Sequence, residues 1–274
     1  MSGKRPHRAA RVSGNTGHIM TDTVVITRTE AVLEIRLNRP EKKNALTRAM
    51  YDAMAEAFAQ VDADPTLRVA LLTGSGETFT SGNDIADFQA RAASHGEVSP
   101  SPFLMTISSM RKPLIAAVNG AAIGIGTTML MHCDLIIAAR SARFVMPFTS
   151  LGLIPEAGSS LLFPRLLGYQ RASALLLLGE PMDAATAHQW GFVNRVVDDT
   201  ALMETAHDLA RRLAALPPQA VLLTKRLLRH GAADLSGRMQ EEHMLLRDRL
   251  ASPEAAEAFR AFMEKRKPDF SRFS

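Results

Sequence analysis

The chain has 274 residues, 46% of them hydrophobic and 22% charged, which suits one large globular domain or a domain with a helical appendage. Its net charge of +4 is owed to Lys4, Arg5, Arg8 and Arg11 in the first 20 residues, and the remainder is formally neutral. That balance offers no basic face for nucleic acid, the lone Cys133 excludes an internal disulfide, and no apolar run approaches the ~20 residues of a membrane span.

In chain order, residues 1–20 lack periodicity and read as a disordered basic extension, a short targeting segment, or a stretch upstream of a start at Met20. Residues 23–28 are a β-branched run. In 31–37, Ala31, Leu33, Ile35 and Leu37 share one face and Glu34 and Arg36 the other, a half-buried strand. Asn38-Arg39-Pro40 breaks it. Thr47 is placed to cap a helix in which Met50, Met54, Ala57, Phe58 and Val61 keep helical spacing. Residues 68–73 (RVALLT) read as a buried strand, 79–85 as a glycine-containing loop and 91–102 as a polar, mobile loop. Pro113 introduces a strand over 114–118. A Gly/Ala-rich turn at 119–126 leads into an apolar helix through about Met131, and 134–139 is a further strand. After turns at Pro147, Gly152, Pro155 and Gly158, the chain from about Ser159 reads as almost wholly helical, with a break at Gly191. Alternating strands and helices followed by a helical third predict an α/β or α+β core with a helical appendage.

Three segments are candidates for chemistry. Gly124-Ile125-Gly126 follows a strand and opens a helix, but a dinucleotide fingerprint would want a glycine where Met129 stands. Two readings remain: backbone amides aimed at a forming anion, or close packing that needs small residues. Glu156, in Pro155-Glu156-Ala157-Gly158, is either an acid favoured at a helix start or a carboxylate base beside the apolar Phe148, Leu151, Leu153 and Ile154. Asp84, in Ser81-Gly82-Asn83-Asp84, reads first as a turn or N-cap residue that organises backbone. Cys133 lies in an apolar run and reads as an inert thiol. Its adjacency to His132 is not metal-ligand spacing. A lone cysteine fits a reducing compartment, so a cytoplasmic location is expected.

Five ordered segments resemble signatures of the enoyl-CoA hydratase/isomerase (crotonase) superfamily. They are Asn38-Arg39-Pro40 with Asn44-Ala45-Leu46, residues 79–85 (FTSGNDI), residues 112–134 (KPLIAAVNGAAIGIGTTMLMHCD), residues 144–168 (FVMPFTSLGLIPEAGSSLLFPRLLG) and residues 187–197 (AHQWGFVNRVV). The resemblance implies an α/β fold: a crotonase-like spiral of ββα units over 21–205, then a C-terminal helical trimerisation region over 206–274. It implies an acyl-CoA substrate, fatty acid or related acyl-CoA degradation, a homotrimer or dimer of trimers, no membrane association, and neither cofactor nor metal. The backbone amides of Asn83 and Ile125 are expected to hold the thioester oxygen, although a glycine is common where Ile125 stands. Ser81, Gly82, Asp84, Ile85, Gly124, Phe148 and Ala45 are expected to line the substrate.

The reaction depends on the acids. Hydratases of this family use two glutamates, at positions that match Thr128 and Phe148, and neither of these can exchange a proton with substrate. The Δ3,Δ2-enoyl-CoA isomerases place one glutamate in a motif resembling Pro155-Glu156-Ala157, and the likeness is greatest to them. Glu156 is therefore the expected catalytic base, and double-bond transfer the expected reaction. The alternatives are hydration or hydrolysis of another acyl-CoA, or a non-catalytic acyl-CoA-binding protein. The family's lysine after the Asn-Arg-Pro turn is Glu41 here, which leaves Lys42 and Lys43 as candidates for the CoA phosphates.

Overall fold

The computed structural model describes residues 18–87, 101–229 and 233–269, which form two sheets and the helices around them. The first hairpin follows from sequence pattern. Strands β2 (Val24–Thr29) and β3 (Val32–Leu37) pair antiparallel with Ile26 opposite Ile35, and Glu30 turns between them in the left-handed region. Strand β1 (His18–Thr21) pairs antiparallel with β2, so residues 18–20 are not part of a structureless extension as the sequence suggested. The rest of that expectation lies outside the described residues.

From β3 onward the large sheet is parallel. Strands β4 (Val69–Gly74), β6 (Leu114–Val118), β8 (Leu135–Ala139) and β11 (Arg195–Val197) follow in order. The middle strands are covered on both faces, which is why they read as continuous apolar runs rather than alternating ones. Ala70, Leu72, Ala116 and Val118 face a core shared with Met50, Met54 and Phe58 of helix α1 (Arg48–Ala63). Val69, Leu71, Ile115, Ala117 and Ile137 face Leu202, Ala206 and Ala210. Thr47 caps α1, accepting from the Met50 amide, as its spacing predicted.

A second sheet was not visible in the sequence. Its strands β5 (Thr78–Thr80), β7 (Ala121–Ile123) and β9 (Arg143–Val145) run parallel, and β10 (Met182–Asp183) closes it antiparallel. Each begins a few residues after a strand of the large sheet: β4 leads to β5, β6 to β7 and β8 to β9. This stepping is the spiral of ββα units. Its corners are tight, for a side chain at Gly74 would stand 2.6 Å from the Phe79 carbonyl oxygen. The polar loop expected over 91–102 lies mostly outside the described residues, but Ser101 and Pro102 begin a helix, α2 (Pro102–Ser109), in which Ser101 caps the Leu104 amide.

Past β7 come one α-turn, α3 (Ile125–Thr128), and a 3-10 turn (Met129–His132), together the apolar helix that was expected. Helices α4 (Ser159–Leu167), α5 (Tyr169–Ser173) and α6 (Ala184–Gln189) follow. Strands β10 and β11 interrupt this half, so it is less uniformly helical than expected. It ends in α7 (Leu202–Ala214), α8 (Pro218–Leu228), α9 (Ala233–Leu250) and α10 (Pro253–Met263). Helix α8 is tied to the core by the buried Lys225, whose ammonium donates to Asp134 (2.6 Å) and to the Lys112 carbonyl (2.7 Å). No helix of the described residues is long and apolar enough to cross a membrane.

Candidate active site

Three chain segments meet where small sheet and helices join. The first is the loop after β5. Leu46 and Asn83 form a parallel bridge in which the Leu46 amide donates to Gly82 O (2.8 Å) and the Asp84 amide to Leu46 O (2.9 Å). In that pattern the flanking residues carry the bonds, so the Asn83 N–H faces away from Leu46. The Asn83 side-chain oxygen accepts from the Tyr51 hydroxyl of α1 at 2.6 Å. Nothing in the sequence had paired these two residues.

The Asn-Arg-Pro and Asn-Ala-Leu motifs hold this loop. Asn44 is fully buried; its side chain accepts from the Arg39 amide and donates to the carbonyls of Ser75 and Thr78. Arg39 donates to the Ala45 carbonyl (3.1 Å) and to the Asp84 carboxylate (2.7 Å). The Arg39 hydrogen bond holds the Asp84 carboxyl below its ordinary range, and Asp84 also accepts from the Asp87 amide (3.3 Å). Asp84 thus has the organising role read from the sequence. Ser81 donates its amide to Lys43 O (2.9 Å), Ala45 and Ile85 are half-buried, and Lys42 and Lys43 are exposed beside the loop.

The second segment is the turn into α3. Gly124 has φ 56° and ψ −119°, a conformation open only to glycine. The amides of Thr127 and Thr128 both bond to Gly124 O, which leaves those of Ile125 and Gly126 as the first donors of the helix, with no acceptor among the described residues. Two glycines press this turn onto the first loop. A side chain at Gly82 would meet Ile123 O at 2.8 Å, and one at Gly126 would meet Thr80 Cγ2 at 2.4 Å. Ile125 is itself buried, its side chain packed in the core, and the isoleucine is accommodated because the unusual dihedrals fall on Gly124.

The third segment carries Glu156. Phe148 is buried, and its carbonyl accepts from the amides of Leu151 and Leu153. Pro155 then presents Glu156, which is half-buried with its Oε1 atom shielded from solvent. Ala157 (φ 61°) and Gly158 (φ 72°) are both left-handed and reverse the chain into α4. At the start of α4 the Ser159 amide donates to the Glu156 backbone carbonyl (3.1 Å), and the amides on either side of it go elsewhere. A buried carboxylate from α9, Glu242, accepts from the amides of Gly158 (2.6 Å) and Ser160 (3.0 Å) and from the Ser160 hydroxyl (2.5 Å). Burial pushes the Glu242 carboxyl above its usual range, against the pull of these three donors. His132, at the end of the turn that follows α3, bonds through Nε2 to Ala157 O (2.8 Å). This acceptor requires a proton on Nε2, and burial pushes the histidine down to about 4, so the ring is the neutral Nε2–H tautomer.

Glu242 and His132 were not singled out from the sequence. A signal for Glu242 existed. Leu235, Met239 and Leu246 form the inward stripe of α9, and Glu242 occupies the stripe position between Met239 and Leu246. Cys133 is as unreactive as the sequence suggested, its thiol pushed up to about 12 by burial and by the charge of Asp134. No cluster of three or more metal-ligating side chains occurs among the described residues.

A ββα spiral with backbone amides at two abutting turns and a carboxylate on a third loop defines the crotonase class of acyl-CoA enzymes. The sequence matches the family described as enoyl-CoA hydratase/isomerase over residues 27–272. It is 38% identical over 252 residues to a 1,2-epoxyphenylacetyl-CoA isomerase of Escherichia coli K12, covering 88% of this chain and 95% of that one. It is 37% identical over 264 residues to a carnitinyl-CoA dehydratase of Salmonella typhi, covering 91% and 98%. The crystal structure of an enoyl-CoA hydratase/isomerase from Pseudoalteromonas atlantica T6c superposes with a TM-score of 0.86 at 41% identity, covering 91% of this chain and all of that one. The chain belongs to the enoyl-CoA hydratase/isomerase family.

Proposed function

We propose that the protein transfers the double bond of a 3-enoyl-CoA to the 2-position, with Glu156 as the single base and the amides of Asn83 and Ile125 as the oxyanion site. The C2 proton of such a substrate is allylic and α to the thioester carbonyl. Its removal by the Glu156 carboxylate sends the electron pair into a dienolate whose charge rests largely on the thioester oxygen, where the two amides meet it. The Glu156 carboxylic acid returns the proton at C4, and the double bond moves from C3–C4 to C2–C3. No water enters, and the buried Phe148 and Thr128 suit a site that keeps water out. Ser81, Gly82, Asp84, Ile85, Gly124, Phe148 and Ala45 shape the acyl and pantetheine path in this reading, and Lys42 or Lys43 meets the CoA phosphates.

The observation that carries the proposal is the capping of α4 by Glu242. An acid at a helix start ordinarily serves the helix. Here another carboxylate takes the Gly158 and Ser160 amides, and Glu156 is the acid retained in a site whose other two acid positions are Thr128 and Phe148. Purified enzyme given a 3-enoyl-CoA is expected to form the conjugated 2-enoyl thioester, followed by its ultraviolet absorbance. Glu156→Gln should lower kcat by roughly 10²–10⁴-fold, and a variant with wild-type turnover would remove Glu156 from the mechanism.

One observation favours a second reading, enolate chemistry on an acyl-CoA that carries an oxygen. The Thr128 hydroxyl is fully buried with no hydrogen-bond partner among the described residues, and such a group is costly unless something meets it. The relatives named for an epoxide and for a dehydration fit this chemistry. Substrate choice separates the readings: turnover of a hydroxyacyl-CoA or an epoxyacyl-CoA with none of a 3-enoyl-CoA supports the second, and the reverse supports double-bond transfer. We further propose the trimer expected from the family, supported by the exposed Leu223, Leu227, Leu228, Phe262 and Met263 of the C-terminal helices.

A further inference from the structure

We propose that Glu242 and His132 are positioning residues that together hold the Glu156 backbone in register with the reacting carbon. The inference rests on the reading of Glu156 as the base. Ala157, directly after Glu156, is held at φ 61°, a conformation that costs a non-glycine residue energy and persists only where its surroundings overdetermine it. The surroundings are two side chains from different parts of the fold. His132 takes the Ala157 carbonyl, and Glu242 takes the amides of Gly158 and Ser160. The peptide groups on the C-terminal side of Ala157 are therefore gripped from both ends of their dipoles. Leu235 and Met239 of α9 close over the same turn, so near that a side chain at Gly158 would stand 2.3 Å from Leu235 Cδ1. His132 is anchored in turn, for Arg229 of the α8 C-terminus donates to its carbonyl at 2.6 Å.

The arrangement differs from ordinary capping in what it constrains. A helix needs only that its first amides be satisfied, which water or a serine achieves. Here a buried carboxylate reaches from a distant helix and meets a histidine from a third element across one residue. Catalysis requires a base within a few tenths of an ångström of its proton, and an error near 1 Å costs roughly 10²-fold in rate.

The test uses the full chain and two readouts, turnover of a 3-enoyl-CoA and exchange of the C2 protons of a saturated acyl-CoA in deuterated water. Glu242→Gln retains one oxygen acceptor and turns a carboxamide NH2, itself a donor, toward the other backbone amide. It should lower kcat and the exchange rate by roughly 10²-fold while KM changes less than about 2-fold. His132→Leu should do the same, and His132→Gln, which can place an amide N–H near the position of Nε2, should recover most of the loss. Should Glu242→Gln not fold, the two His132 variants decide the matter. Wild-type kcat in Glu242→Gln or His132→Leu, equal losses in affinity and turnover, or no recovery in His132→Gln would each overturn the proposal. Failure of the underlying reading looks different: wild-type turnover in Glu156→Gln, or no exchange in the wild type.

Discussion

Gly124 and Gly126 stand two residues apart and must be glycine for different reasons. At Gly124 a side chain would touch nothing, but φ 56° with ψ −119° excludes one. Gly126 has no such conformation; a side chain there collides with Thr80 Cγ2 at 2.4 Å. Thr80 cannot easily yield, because its hydroxyl donates to Asn44 O (2.6 Å) and accepts from the Gly82 amide (3.1 Å). Gly126→Ala is therefore expected to cost about 1–3 kcal/mol, as overpacking does. Thr80→Ser, which removes Cγ2 and keeps the hydroxyl, should restore most of it in the double variant. Urea midpoints for the single and double variants check this, and no restoration would place the clash elsewhere. His132 gives a pH dependence with a definite sign. Its folded pKa of about 4 lies below the ordinary 6.5, so between these values the unfolded chain binds a proton that the folded chain refuses. The fold has this contribution in full above pH 6.5 and loses it as pH falls toward 4, by about 3 kcal/mol across the window. Denaturation in urea at a series of pH values should show the slope in the wild type and a shallower one in His132→Gln; equal slopes would assign the effect to other groups.

Among the elements, those that rest on local pattern were legible. The alternation in 31–37, the Thr47 cap and the apolar runs of β4, β6 and β8 all have a periodicity or a composition that names them. The second sheet has neither. Thr78–Thr80, Ala121–Ile123 and Arg143–Val145 are three residues each, too short to show a period, and each is made a strand by partners more than 20 residues away. The Gly/Ala-rich stretch at 119–126 was read as a turn because it holds both a strand and a corner. The site was legible in the same uneven way. Arg39, Asn44 and Asp84 were marked by motif, and their bonds explain the motif: Asn44 alone joins three backbone groups, the Arg39 amide and the Ser75 and Thr78 carbonyls. Tyr51, His132 and Glu242 were not marked, since each acts on a segment distant in sequence. For Glu242 the clue was a charge in an apolar stripe, which is informative only once the stripe is known to face inward.

For the whole molecule, the C-terminal helices hold the core and also carry exposed apolar side chains. Their inner faces hold the core through Lys225, Arg229, Met239, Glu242 and Leu246. Leu227 and Leu228 of α8 and Phe262 and Met263 of α10 are exposed, as side chains that the proposed trimer would cover. The proposed trimer predicts a light-scattering mass three or six times 29.8 kDa. Leu227→Glu with Leu228→Glu should shift it to one, whereas a monomeric wild type would dismiss the trimer. The reach of Glu242 also bears on how the protein is made. A chain leaving the ribosome has all the strands of both sheets once Val197 has emerged. The loop behind Glu156 then has His132 but still lacks Glu242, the second half of its clamp. Nascent chains paused between these points would carry a completed sheet framework without the Glu242 contacts, and if the proposed clamp positions the base they should not turn over a 3-enoyl-CoA.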